Sequence, residues 1–224
     1  MAERKITRVV LVIDRSGSMS NVRKEAWTGI NEQINALKAS AEKGGETYLT
    51  LVLFDGEINV PFANCPIQNV SPLREDEYVP RGSTAMLDAV KVGIDRLREA
   101  DDSDVKANIG YLVVVISDGY ENASKTINRA QLASLIKELQ ASDKWTFTYM
   151  LSNQDLTIVK DLGVSLGNAT LYVSNNIGTK NAFTTMADST LGYMTLRESG
   201  VTTSTSFYNN DDVNTNATTT KGGK

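Results

Sequence analysis

Short apolar runs alternate with amphipathic stretches along most of the chain. "RVVLVI" (8–13) is an unbroken apolar run, the mark of a strand covered on both faces. Over 22–43, Val22, Ala26, Ile30, Ile34, Leu37 and Ala41 recur at steps of three and four. That spacing predicts one face of a helix, which Gly44-Gly45 ends. "YLTLVLF" (48–54) reads as a second strand and Asp55-Gly56 as a turn. "EINVPF" (57–62) then returns antiparallel, with Pro61 suited to an edge. A helix over 85–100 carries Leu87, Val90, Ile94 and Leu97 in phase. "IGYLVVVIS" (109–117), the most apolar run, belongs in the centre of a sheet. A helix over 129–140 and a strand of alternating aromatics and threonines at 145–151 follow. A short helix near 154–162, a strand at 170–174 and a helix at 180–198 complete the pattern. Trp27 and Trp145 are expected in the core or at its margin. Strands alternating with helices of ~10–20 residues predict parallel βαβ units, an α/β sheet with helices on both faces.

After Glu198 the pattern stops. Thirteen of residues 201–224 are Ser, Thr or Asn. Such a segment buries too little to offset its ordering entropy. The expected division is therefore a domain over 5–198 and a polar, flexible tail over 199–224. Whether that tail orders on a partner is left open by the sequence.

Composition narrows the chemistry. The 224 residues suffice for a sizeable core, and the net charge of −4 offers no basic field to nucleic acid or an anionic membrane. No apolar run approaches the ~20 residues of a membrane helix. Cys65 stands alone, so no intrachain disulfide forms, and the charged start "MAERKITRVV" lacks the apolar region of a signal peptide. These features predict a cytoplasmic protein, or for a viral chain one of the host cytoplasm or virion. The sequons at Asn69, Asn122, Asn168 and Asn216 then read as chance. Histidine is absent altogether. That removes Ser-His-Asp and Cys-His catalysis and His-ligated zinc, so any metal site here must be built from oxygen.

Candidate chemistry sits at the strand ends. "VVLVIDRSGSMS" (9–20) runs a strand into Asp14, Ser16 and Ser18. "VVVISDGYEN" ends the predicted central strand at Asp118, and "PRGSTAMLDA" places Ser83 and Thr84 before a helix. In an open α/β sheet such groups collect beyond the carboxyl ends of the strands. Each fragment alone has a plain reading: a helix cap for Asp14, a turn for Asp118-Gly119, an N-cap for Ser83-Thr84. Together they make an all-oxygen set suited to a hard cation, Mg²⁺ with Mn²⁺ as the alternative, and too sparse for a calcium cage. The phosphate-loop spacing does not occur, and "DRSGSMS" lacks the G-x-S-x-G nucleophile turn, with no histidine to activate its serines. "REDEYVPR" (74–81) reads as a charged loop.

These fragments resemble the metal-ion-dependent adhesion site of von Willebrand factor A (vWA) domains, in order and spacing from roughly residue 5 to 198. "IDRSGSM", "LVLFDGEINV", "PRGSTAMLDAV", "SDGYENAS" and "SNQD" are more narrowly similar to small stand-alone vWA proteins of bacteria and phages. The resemblance implies a Rossmann-like, mostly parallel sheet of about six strands with one antiparallel edge strand. It implies that Ser16, Ser18 and Thr84 coordinate the cation directly. Asp14 and Asp118 would act mainly through ordered water. Arg15, Tyr120, Glu121 and Asn153 would then form a partner-binding rim, while Ser83 serves as a cap or loop residue.

The expected function is a non-enzymatic, metal-dependent module that binds a protein presenting Asp or Glu. Nothing in the chain is a general base with a tuned pKa. The alternatives are a structural or assembly subunit, including one of a phage particle, with the metal site unused, and a metal-dependent phosphatase or hydrolase. Arg15 and Arg81, flanking the motif, are what keep the hydrolase in view.

Overall fold

In β1 (Lys5–Asp14), every residue from Ile6 to Asp14 is buried. A strand rich in Val, Leu and Ile tolerates cover on both faces, and this one lies at the middle of the sheet. The computed structural model describes residues 4–42, 44–100, 102, 106–152 and 156–208. The other strands are β2 (Glu46–Phe54), β3 (Ile58–Pro66), β4 (Asn108–Ser117), β5 (Trp145–Leu151) and β6 (Ala169–Leu171). They form one six-stranded sheet in the order β3-β2-β1-β4-β5-β6. Only the β2–β3 pair is antiparallel, so β3, with Pro61, is the antiparallel edge strand. β1 and β4 are central neighbours with Ile13 opposite Ile116. Asp14 and Ser117 therefore leave the sheet side by side.

Alternate residues of β1 feed two cores. Val9, Leu11 and Ile13 pack with Ile30, Ile34 and Leu37 of α1 (Arg23–Ala41) and with Phe183 and Met186 of α5 (Asn176–Glu198). Val10 and Val12 pack with Val90, Ile94 and Leu97 of α2 (Met86–Arg98) and with Leu132 and Ile136 of α3 (Arg129–Gln140). The short α4 (Thr157–Asp161) adds Val159 to the second core. Trp145 is buried and stacks on Tyr111 at 4.3 Å, while Trp27 packs at the margin and donates to the Leu73 carbonyl. No described helix is long and apolar enough to cross a membrane.

The α1–α5 contact depends on a glycine. A Cβ on Gly29 would lie 2.2 Å from Cγ of Phe183 and 2.5 Å from its Cβ, the stiff base of that side chain. Gly29→Ala is therefore expected to destabilise the domain by about 1–3 kcal/mol, against the usual helix preference for alanine. Denaturant unfolding of the variant checks this.

Several element boundaries differ from the sequence pattern, and β3 runs on to Pro66 rather than ending at 62. A 3₁₀ turn, Gly17–Val22, precedes α1, so the helix starts at Arg23. β6 ends at Leu171, and α5 starts at Asn176 rather than near 180, because Asn175 caps it by accepting from the Gly178 amide at 2.8 Å. A further difference concerns the tail expected from residue 199. Residues 201–208 lie on the domain, with Phe207 and Tyr208 buried against the α1–α5 core. Their backbone is held: the Ser204 amide donates to Thr146 Oγ1 at 3.0 Å, and the Phe207 amide to Asn168 Oδ1 at 2.9 Å. Two aromatics and a set of side-chain partners outweigh the polar composition here. Residues 209–224, the rest of the expected tail, lie outside the described residues.

Candidate functional site

The register brings the ends of β1 and β4 together, and a chain of hydrogen bonds joins them. Asp14 is completely buried. Its Oδ1 accepts from the Ser16 amide at 2.6 Å, and its Oδ2 accepts from the Ser117 hydroxyl. Ser16 Oγ lies 3.0 Å from Ser18 Oγ, and Ser18 Oγ donates to Asp118 Oδ1 at 2.5 Å. Asp118 Oδ2 in turn accepts from Ser174 Oγ at 2.8 Å. Four of the five expected metal residues thus lie in one connected network.

Thr84 arrives from the loop before α2. The Gly17 amide donates to the Gly82 carbonyl and the Arg81 amide to the Arg15 carbonyl, zipping the two loops together. Thr84 and Asn122 then pair reciprocally. The Thr84 amide donates to Asn122 Oδ1 at 2.9 Å, and the Asn122 amide to the Thr84 carbonyl at 3.0 Å. Gly119 leaves room between Thr84 and Asp14. A Cβ there would lie 2.6 Å from Thr84 Oγ1 and 3.4 Å from Asp14 Oδ2. Gly119→Ala is expected to push the two loops apart at a cost of about 1–3 kcal/mol. An unchanged unfolding midpoint would count against that close approach.

Burial is the main force on Asp14, raising its carboxyl above the usual range. The donors Ser117 and Ser16 oppose the shift and Asp118 adds to it. No ion pair among the described residues involves Asp14. From below, the buried Tyr78 donates its hydroxyl to the Asp14 carbonyl at 2.6 Å. Burial, then Asp14, push that phenol far up. The site therefore couples a buried, uncompensated acid to a second acid through hydroxyls. Among the described residues no three His, Cys, Asp or Glu side chains converge. A cation here would draw on hydroxyl oxygens as well as the two carboxylates, which suits a hard ion.

The expected rim divides. Tyr120 is 66% exposed, as a contact residue should be. Arg15 is buried instead, its Nε 3.0 Å from Asp55 Oδ2. Arg81 joins the same acid at 3.1 Å and reaches Glu57 at 2.6 Å. Glu121 is a clasp rather than a contact. Its Oε1 accepts from the Ala123 and Ser124 amides, and its Oε2 from the Leu87 amide and the Ser124 hydroxyl. That carboxylate caps the first turn of α2, while Ser83, expected as a cap or loop residue, is an exposed loop residue. Asn153, with Gln154 and Asp155, lies outside the described residues.

Several site residues carry no local signal in the sequence. Ser117 is the last residue of a buried strand, and Ser174 follows a strand of three residues. Tyr78 sits in the charged loop 74–81. Asp88, on α2, accepts from the Lys125, Thr126 and Ile127 amides and the Thr126 hydroxyl, fastening the loop beyond Asp118. Burial pushes its carboxyl up, but those donors outweigh it and hold the group below its usual range. The periodicity of α2 marks Leu87 and Val90 and passes over the acid between them.

No family model matches the sequence, and no curated protein matches it. Solved structures do. The PilB minor pilin of Streptococcus sanguinis superposes with a TM-score of 0.60 at 13% identity, over 87% of this chain and 63% of that one. The vWF domain of the type V pili tip protein Mfa5 from Porphyromonas gingivalis gives 0.58 at 12% identity, over 86% of this chain and 97% of that one. A von Willebrand factor type A structure from Catenulispora acidiphila gives 0.51 at 18% identity, over 86% and 44%. The chain thus spans less than two thirds of the pilin and under half of the Catenulispora protein. Sheet order, helix placement and these superpositions agree that the chain has a von Willebrand factor A-like fold.

Proposed function

We propose that the domain binds a protein partner through a divalent cation held at the carboxyl edge of the sheet. Mg²⁺ is the first candidate, and Mn²⁺ suits the same donors. The observation that carries this reading is the buried Asp14, without a cationic partner among the described residues and linked by Ser16 and Ser18 to Asp118. Ser16, Ser18 and Thr84 would hold the ion through their hydroxyls, with Asp14 and Asp118 supplying charge and fixing the serines. The 3.0 Å between the two serine oxygens supports this. Two hydroxyl oxygens this close together could serve one hard ion, which favours oxygen donors. When bound, such an ion supplies an electrophilic position for a partner's Asp or Glu carboxylate.

Two further points favour binding over hydrolysis. Arg15 and Arg81, the cations flanking the motif, are both committed to Asp55. Two of the superposed proteins are described as a minor pilin and a pili tip protein, settings of protein contact rather than turnover.

The test is calorimetric titration of the metal-free chain with Mg²⁺ and Mn²⁺, followed by affinity capture from the native host in Mg²⁺ and in EDTA. Thr84→Ala, which removes a direct ligand, is expected to weaken the ion by at least the roughly 10–100-fold that loss of an outer-shell partner costs. A partner should elute with EDTA. Identical eluates with and without EDTA would sink the metal-dependent reading.

A further inference from the structure

On the β4–β5 side of the hydroxyl cluster, the carboxyl edge opens into a pocket of about 130 Å³. It is contiguous with the cluster. Ser117 lines the pocket and donates to Asp14, and Gly119 lines it while facing Thr84 Oγ1. Ser152 lines it too, and its hydroxyl holds the Asp118 carbonyl at 3.0 Å.

Most of the polar groups that the described residues bring to this pocket are engaged. The hydroxyls of Ser117 and Ser152 are donated inward, as just described. Arg129 is paired with Asp161 at 2.7 Å, and the Glu121 carboxylate accepts four hydrogen bonds. Among the described residues, Arg129 keeps N–H donors beyond its bond to Asp161. The rest of what the pocket offers is chiefly apolar surface from Met86, Leu151 and Ile158, with the exposed ring of Tyr120 beside it. Its volume is close to the about 150 Å³ of an apolar cavity that accepts a benzene ring.

We infer that this pocket receives an aliphatic or aromatic side chain of the same partner whose carboxylate meets the cluster. The recognised element is an acidic residue with a Leu-, Met- or Phe-like side chain beside it. The inference rests on the cation reading for its first half, and on the pocket alone for its second. Tyr120 closes over the apolar group, an amphipathic ring of the kind that dominates contact energies.

Simple monocarboxylates test it, followed by amide chemical shifts of the full chain in Mg²⁺. 4-Methylpentanoate and 3-phenylpropanoate are expected to bind at least about tenfold more tightly than acetate. Ile158→Trp, which fills the pocket, should erase that preference and leave acetate unchanged. Ile158→Ala, which enlarges it, should shift the preference toward the phenyl acid and guards against a poorly folded tryptophan variant. Equal binding of all three acids in Mg²⁺ would overturn the pocket and leave the cation reading standing. A preference for the longer acids that persists in EDTA would keep the pocket and overturn the cation reading. No carboxylate binding in Mg²⁺ would overturn both.

Discussion

Asp14→Asn is expected to leave the EDTA-treated domain at least as stable as the parent and to abolish its stabilisation by Mg²⁺. The asparagine carbonyl keeps the bond from the Ser16 amide, and its amide meets Ser117 Oγ, a hydroxyl able to accept. The substitution removes a buried charge that nothing among the described residues neutralises. The sign of the pH dependence follows from the raised carboxyl. A group whose folded pKa lies above its unfolded value contributes stability at low pH, and loses it as pH rises through the folded pKa. The metal-free parent should therefore lose that contribution above about pH 4, the unfolded value for aspartate, and the variant should not. Asp88, held below its usual range, acts in the opposite sense, being lost as pH falls, and it is common to both proteins. The difference between parent and variant isolates Asp14. With Mg²⁺ at a hundredfold its dissociation constant, the parent should gain about 2.7 kcal/mol and Asp14→Asn nothing. Denaturant unfolding with and without EDTA reads both numbers. A variant that unfolds more easily in EDTA would mean that the ionised carboxylate holds the fold without metal.

Phe207→Ala is expected to lower the unfolding free energy by about 3–5 kcal/mol, the range for a buried aromatic removed from a packed core. The ring is 6% exposed and meets Tyr208 edge-on at 4.9 Å and Tyr193 at 6.2 Å. Residues 201–208 therefore belong to the domain energetically. Ending the chain at Gly200 should cost as much or more, because it also removes the bonds to Thr146 and Asn168. Fluorescence-monitored urea unfolding of both proteins checks this. Parent-like midpoints would return the segment to the status of a tail.

The sequence revealed the central strands and their terminal acids for one physical reason. Parallel strands covered on both faces must be apolar throughout, so the change to Asp14 and Asp118 stands out. The β5 threonines show the limit of that signal. Thr146 and Thr148 are buried, facing the same core as Phe207 and Tyr208, so the alternation there marks a second occupied face rather than a solvated one. Ser117, Ser174 and Asn122 were invisible because their roles depend on partners 38–103 positions away. Arg15 and Glu121 were misplaced for a related reason. Charge in a loop suggests exposure, yet Asp55 and the first turn of α2 draw these two inward. The tail misled through composition, since two aromatics among many hydroxyls carry most of its packing.

The network at the sheet edge also fixes when it can exist. Ser18 meets Asp118 across 100 positions, and Ser117 meets Asp14 across 103. No short-range segment of the chain contains both halves. The cluster cannot assemble until β4 has docked beside β1, a slow, non-local closure. An ion held there cannot template folding. It would act on the other limb, slowing escape from the native state while leaving the approach to it unchanged. Mg²⁺ would then act as a kinetic latch, prolonging the life of domains already complete.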